Sequence, residues 1–261
     1  MPLLPILLLV AGRDLFLPIA GRISDPLHDV RTTVTLKNAS PSVAHATIRY
    51  LPASGTSSEG RSFDVTVPPN ATRSVDPFGD VGGLGALRIT SDQELTASGR
   101  ITSHAASAIF EALPASQGIG SGEAATVGTF SFTHATSETN RLYLVETNGD
   151  ALQYSIILRA DDGSVVSQSV RLIHRFEQHS IDLDDTFPTV TGRNVSAVLR
   201  GMNGGGTIVA AAAVTKKPGG EIVPHEMAVA TRRGRGLPLS ETIAYAAIAL
   251  FILGAALRRI A

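Results

Sequence analysis

The stretch "LVETNGDALQYSIILRADDG" (144–163) decides the fold, because its apolar residues fall into two alternating runs separated by turn residues. Alternation with a period of two is typical of β-strands that bury one face. Asn148-Gly149 accepts positive φ and predicts a tight hairpin between strands 141–147 and 151–160. Asp162-Gly163 predicts a second hairpin with the strand that follows.

The second half of the chain repeats the first in layout. "LKNASPSVAHATIRYLPASG" (36–55) has the same order of strand, polar turn, strand and glycine-ended turn as 144–163. "ALRITSDQELTASGRI" (86–101) matches "AVLRGMNGGGTIVAAAAV" (197–214), which places Arg88 opposite Arg200. The chain therefore contains two copies of one structural unit.

Short strands at regular spacing are typical of a β-sandwich. The predicted strands are 30–37, 44–51, 62–67, 85–91, 95–103, 141–147, 152–160, 164–173, 194–201, 207–215 and 221–230. Asp92-Gln93 is predicted to form a turn between the fourth and fifth of them. We predict an all-β fold of two tandem Ig-like β-sandwich domains, 13–116 and 127–230, joined by a glycine-rich linker, 117–126, and followed by a transmembrane helix.

Composition excludes several classes of protein. The net charge is −1, whereas nucleic-acid binding needs a basic face, so nucleic acid is not expected as a partner. The chain has no cysteine, which excludes disulfides, thiolate metal sites and thiol nucleophiles.

The search for catalytic patterns leads us to predict no catalytic residue, no cofactor and no enzyme. "GIGSGE" (118–123) lacks the Lys-Ser/Thr of a phosphate loop. His174 and His179 are five residues apart, which on a strand puts them on opposite faces. Asp182, Asp184 and Asp185 are the one metal candidate, since clustered carboxylates suit Ca²⁺. We interpret them as solvated acids at a strand end and predict no metal.

The C-terminal segment "TIAYAAIALFILGAAL" (242–257) is uncharged and predicts a short transmembrane helix. A basic linker, 231–241, precedes it, and the basic tail 258–261 contains Arg258 and Arg259, which flank the predicted membrane anchor. The alternative is a buried core helix.

The N-terminal segment "MPLLPILLLVAG" (1–12) has the length of a signal-peptide apolar region but lacks the basic residues that usually precede one. The alternatives are a true start further upstream or a first buried strand. A signal peptide and a membrane anchor together place the body of the protein outside the cytoplasm.

The tail resembles a bacterial C-terminal sorting signal, which combines a short motif, an apolar helix and terminal basic residues. The motif-like residues are Leu237, Pro238, Leu239, Ser240 and Glu241. Ser240 and Glu241 depart from the Thr and Gly of sortase substrates, so anchoring is expected rather than cleavage.

In layout, the chain also resembles exported bacterial surface proteins built of tandem β-sandwiches. The stretches that carry this resemblance are "LFLPIAGR" (15–22), "VRTTVTLKN" (30–38) and "PFGDVGGLGALRITS" (77–91).

Two functions remain open from the sequence. The first is a non-enzymatic, single-pass cell-envelope protein that serves as a structural, spacer or adhesion module and contacts the membrane and other envelope proteins or surface polymers. The alternative is a secreted carbohydrate-binding protein or an enzyme with a loop-built site. A third arrangement, a tail-anchored protein that faces the cytoplasm, applies if 1–12 is not a signal.

Overall fold

The computed structural model describes residues 12–24, 29–54, 60–79, 82–103, 106–133, 138–216 and 221–224, and these residues are mostly in β-strands. The described part also contains a 3₁₀ helix, Ala115–Gln117, and a four-residue helix, α1 (Leu183–Thr186). The all-β prediction is therefore confirmed.

The first repeat has two layers of antiparallel strands around one core. The layer that we call the docked layer has the strand order β4-β3-β6-β1, and the groove layer has the order β5-β2-β6-β7. Alternate residues such as Leu17, Leu36 and Ile89 are fully buried between the layers. The strands are β1 (Gly12–Ser24), β2 (Asp29–Asn38), β3 (Ala44–Pro52), β4 (Ser62–Val67), β5 (Thr72–Val75), β6 (Gly83–Ser103), β7 (Ala106–Glu111) and β8 (Leu113–Pro114).

Strand β6 belongs to both layers. Its residues 83–90 pair with β1, and its residues 95–103 pair with β2. The predicted turn at Asp92-Gln93 is therefore wrong, because the strand continues and passes from one layer to the other. The Asp92 carboxylate accepts a hydrogen bond from the backbone N–H of His45 (2.8 Å), so this polar residue ties the crossing point to β3.

The second repeat forms two four-stranded sheets. The terminal sheet has the order β12-β11-β14-β9, and the junction sheet has the order β13-β10-β15-β16. The strands are β9 (Ala124–Phe132), β10 (Glu138–Glu146), β11 (Leu152–Arg159), β12 (Val165–Ile173), β13 (Gln178–Asp182), β14 (Arg193–Gly204), β15 (Ile208–Lys216) and β16 (Glu221–Pro224).

The two repeats have the same strand order. The terminal sheet corresponds strand by strand to the docked layer, and the junction sheet corresponds to the groove layer, once β6 is counted in both layers. The pairing registers agree as well: Leu36 lies opposite Ala97 in the first repeat, and Leu144 lies opposite Ala210 in the second. The internal repeat seen in the sequence is thus present in the topology.

The strand order of the second repeat differs from that of an immunoglobulin domain, where the first strand pairs with the second. Here β9 pairs with β14, while β10 pairs with β13 and β15. The predicted hairpin at Asn148-Gly149 is also wrong, because β10 and β11 lie in different sheets and do not pair with each other. Gly149 does adopt positive φ (84°) in that connection. The hairpin at Asp162-Gly163 is confirmed, since β11 pairs with β12.

The junction sheet is buried on both faces. Leu142, Leu144 and Ala212 pack against the terminal sheet, whereas Tyr143 and Ala211 belong to the core cluster of the first repeat. A second apolar cluster, which spans both repeats, contains Phe16, Leu51, Ala86, Leu113, Val145 and Val209. The first repeat therefore packs its docked layer directly onto the junction sheet of the second.

The stretch predicted as a linker, 117–126, is hydrogen-bonded to the second repeat. Ile119 exchanges two backbone hydrogen bonds with Ile208 (2.8 and 3.0 Å), and β9 begins at Ala124. Division of the chain into two independent domains stays a prediction.

Candidate functional site

The concave outer face of the groove layer is the candidate binding site. It forms a groove of about 540 Å³ on strands β2, β5, β6 and β7. Because side chains alternate along a strand, most of the residues that line it are sequence neighbours of buried core residues, whereas Ala97 itself belongs to the core. The lining residues are Thr35, Lys37, Thr72, Thr96, Ala97, Ser98, Arg100, Ser107, Ile109 and Glu111.

The groove combines hydroxyl groups with two exposed cations, Lys37 and Arg100. Within the described residues, the hydroxyl of Thr96 is buried without a hydrogen-bond partner. Burial raises the pKa of Glu111 above its usual value. Ile109, which is 43% exposed, adds an apolar contact surface. This chemistry suits a ligand that carries hydroxyl and anionic groups.

The corresponding face of the second repeat is covered and apolar. From the matching registers, Thr35 corresponds to Tyr143, Lys37 to Val145 and Arg100 to Ala213. In the second repeat, the residues at these positions of the junction sheet pack against the docked layer of the first repeat, and they are therefore apolar or small. The groove face of the first repeat therefore corresponds to the junction-sheet face of the second repeat. Among the described residues the first face is open, whereas the second forms the contact between the repeats.

A polar cluster joins the two repeats beside the apolar contact. Arg88 forms two hydrogen bonds with the carboxylate of Asp14 (both 2.9 Å), and its guanidinium lies 4.7 Å from the ring centroid of Phe176. Gln178 accepts a backbone hydrogen bond from Ser54 (2.9 Å) and donates one from its side chain to the carbonyl of Pro18 (3.3 Å). These contacts fix the position of one repeat on the other.

Three titratable side chains lie in a row next to this junction. The Tyr154 hydroxyl is 2.9 Å from Nδ1 of His179, and Nε2 of His179 is 3.2 Å from the Glu177 carboxylate. Burial raises the pKa of Tyr154 and lowers the pKa of His179, although the Glu177 charge partly opposes the second shift. Burial alone would raise the pKa of Glu177, but hydrogen bonds from Ser54 and His174, with the charge of His179, lower it.

We expect the free energy of unfolding to fall as the pH drops below about 6.5, the usual pKa of histidine. Because the folded pKa of His179 is depressed, the unfolded chain takes up a proton first, and stability is lost towards the folded pKa. Urea unfolding midpoints at neutral and mildly acidic pH measure this. The His179→Gln variant should lose less stability on acidification, while His45→Gln, at an exposed position, should behave as the parent. Equal losses in all three proteins would contradict the assignment.

Two of the three aspartates considered for Ca²⁺, Asp182 and Asp184, have structural roles, and the side chain of Asp185 is exposed. Asp182 caps α1 by accepting a hydrogen bond from the backbone N–H of Asp185 (3.1 Å). Asp184 accepts hydrogen bonds from the backbone (2.8 Å) and side chain (3.3 Å) of Asn140. Among the described residues, no group of three or more His, Cys, Asp or Glu side chains is arranged to hold a metal ion.

We expect Asp184→Ala to lower the free energy of unfolding by about 1–3 kcal/mol, because it leaves the backbone N–H of Asn140 without an acceptor and its side-chain amide with the carbonyl of Ser131 as its remaining acceptor. Asp185→Ala is the matched control, since this side chain is exposed, and should change stability by less than about 0.5 kcal/mol. Urea unfolding followed by circular dichroism gives both values. Equal effects in the two variants would contradict this role, and a rise in melting temperature with calcium would restore the metal interpretation.

Sequence reasoning missed Glu146, which is fully buried at the end of β10. Its carboxylate accepts hydrogen bonds from four backbone N–H groups: those of Asn148 (2.8 Å), Gly149 (2.9 Å), Phe176 (2.9 Å) and Thr207 (3.3 Å). The one available signal was its position, which matches Asn38 in the first repeat, where the side chain is also fully buried and bonded to the backbone.

The remaining predicted site residues lie outside the described part of the chain. They are the motif-like residues 237–241, the predicted span 242–257, and Arg258 and Arg259. Within the described residues, no helix has the length and hydropathy needed to cross a membrane.

The described residues form an all-β fold in which one two-layered unit occurs twice, and among them no other strand covers the groove face of the first repeat. Comparison with protein-family profiles, curated proteins and solved structures found no match for this chain.

Proposed function

We propose that the protein is a non-enzymatic cell-envelope surface protein, with its body outside the cytoplasm, that serves as a structural, spacer or adhesion module. In this proposal the body consists of two tandem sandwiches that are Ig-like in their two-layer architecture but not in strand order, and 242–257 anchors it as a transmembrane helix next to Arg258 and Arg259. The described geometry supports a spacer through one observation: the junction sheet is buried on both faces, so the two repeats pack directly against each other.

Such a unit holds the two repeats in a fixed relative position, so that a force on one repeat is passed to the other. Apolar contact over a whole sheet face resists hinge motion far better than a linker would, because bending exposes apolar surface to water. The polar groove then lies on the side of the first repeat that is not packed onto the second. The proposed partners are therefore the membrane at one end and envelope proteins or surface polymers at the other.

Fractionation of cells that produce the full chain tests the location. We expect the protein in the membrane fraction, cleaved by a protease added to intact cells, and released as a soluble protein when 237–261 is deleted. Recovery of the full chain in the soluble cytoplasmic fraction, protected from the protease, would overturn the proposal.

The groove favours a second candidate, a carbohydrate-binding protein for acidic polysaccharides. Lys37 and Arg100 can pair with carboxylates, and the Thr and Ser side chains can bond sugar hydroxyls. In affinity electrophoresis through gels that contain an acidic polysaccharide, the parent should be retarded. Lys37→Ala with Arg100→Ala should abolish this retardation, and Arg193→Ala, an exposed arginine outside the groove, should not. Equal retardation of all three proteins would exclude the groove.

A further inference from the structure

The cations on the outer face of the groove layer lie in a line that follows the strands. Lys37 on β2 lies opposite Thr96 on β6, and Arg100 lies four residues further along β6, which is about 14 Å. Arg31 on β2 lies opposite Thr102, two residues beyond Arg100. Arg31 is exposed, and it shares a face with Lys37 because an even number of positions separates them. The line from Lys37 to Arg31 therefore measures about 20 Å along the strands.

These three cations are not neutralised by the described part of the chain. The ion pairs found among the described residues include none of them. Glu111 is the one acid among the residues that line the groove. Thr35 and Ser98, a directly opposed pair in the middle of the line, present hydroxyl groups. A ligand that fits this face therefore carries several negative charges along its length and hydroxyl groups between them.

Other linear polyanions fit this face less well. An acidic peptide binds a sheet chiefly through an open strand edge or through apolar pockets. Here β2 and β6 each pair with a strand on both sides, and Ile109 is the one large apolar side chain of the lining that is more than a third exposed. The lining also contains no aromatic side chain on which nucleic-acid bases would stack. These features favour a ligand rich in hydroxyl groups.

We propose that the groove binds a linear acidic polysaccharide lengthwise, with the sugar chain parallel to β2 and β6 and its acidic groups at Lys37, Arg100 and Arg31. This arrangement rests on the carbohydrate-binding candidate described above. It adds the direction of the ligand, its minimal length, and Arg31 as a contact beyond the groove itself. A line of about 20 Å corresponds to about four sugar units. Shorter oligomers contact fewer of the cations, so the affinity depends on their length.

Calorimetric titration of the full chain in mild detergent with galacturonic acid oligomers of defined length measures this dependence. We expect the dissociation constant to fall about 10-fold from the disaccharide to the tetrasaccharide, because the longer chain makes a further charge-assisted contact. Arg31→Ala should raise the dissociation constant of the hexasaccharide about 10-fold, for the same reason. The matched control is Arg193→Ala, an exposed arginine on β14 outside the groove layer, which should bind as the parent does.

The outcomes separate this arrangement from the binding function on which it rests. If neither these oligomers nor hyaluronate, a polymer with a carboxylate on every second sugar, binds the full chain, both are overturned. Binding that requires Lys37 and Arg100 but is the same for all lengths, or the same in Arg31→Ala, keeps the carbohydrate-binding candidate and overturns the lengthwise arrangement. An oligoglutamate peptide that binds as tightly as the hexasaccharide would assign the face to acidic peptides and overturn it as well.

Discussion

Replacement of Glu146 by alanine is expected to lower the free energy of unfolding by about 3–5 kcal/mol, a large share of the total for a protein of this size. The carboxylate accepts hydrogen bonds from four backbone N–H groups in three separate loops. Alanine leaves these donors without an acceptor in a fully buried site, and each unsatisfied donor costs more than the bond alone contributes.

Two further variants make this test specific to the carboxylate. Glu146→Gln should also be strongly destabilising, because its amide NH₂ group is a donor facing donors. Glu94→Ala, at an exposed position of β6, should change stability by less than about 0.5 kcal/mol. Unfolding of the full chain in urea, followed by circular dichroism, gives all three values. A loss below about 1 kcal/mol in Glu146→Ala would show that water replaces the carboxylate at little cost.

The alternation of apolar and polar residues in the sequence predicted most of the strands. On a strand that buries one face, every second side chain points into the core, so the residue types alone reveal the pattern. The bounds of 44–51 and 62–67, for example, agree with β3 and β4 to within one residue. The turn residues predicted the local backbone conformation but not which strands pair. Asn148-Gly149 does place a glycine at positive φ, but a turn residue does not decide whether the next strand pairs with its predecessor or crosses to another sheet.

Two longer apolar runs carried information that the strand prediction did not use. "LYLV" (142–145) and "IVAAAAV" (208–214) are apolar without alternation, which is typical of strands buried on both faces. These runs are the centres of β10 and β15 in the junction sheet. The groove had no comparable signal, because its lining comes from β2, β5 and the consecutive strands β6 and β7, three stretches that are separated in the sequence and adjacent only in the fold.

Ala213→Arg is expected to lower the free energy of unfolding by about 3–5 kcal/mol, through loss of the contact between the two repeats. Ala213 is fully buried in the junction sheet and packs with the core of the first repeat. An arginine there buries an unpaired charge and overfills the interface, and it lies directly opposite Arg141 on β10. The first repeat has arginine at the corresponding position, Arg100, where the face is open and the side chain is exposed.

The matched control is Arg100→Ala, which introduces into the first repeat the residue that the second one carries. It should change stability by less than about 0.5 kcal/mol, because that face is in water. Urea unfolding of the full chain should therefore remain a single transition in Arg100→Ala. In Ala213→Arg we expect either a lower midpoint or two separate transitions, since each repeat keeps its own internal core. If the two substitutions had equal effects, packing of the repeats against each other would not be the reason that corresponding faces differ in sequence.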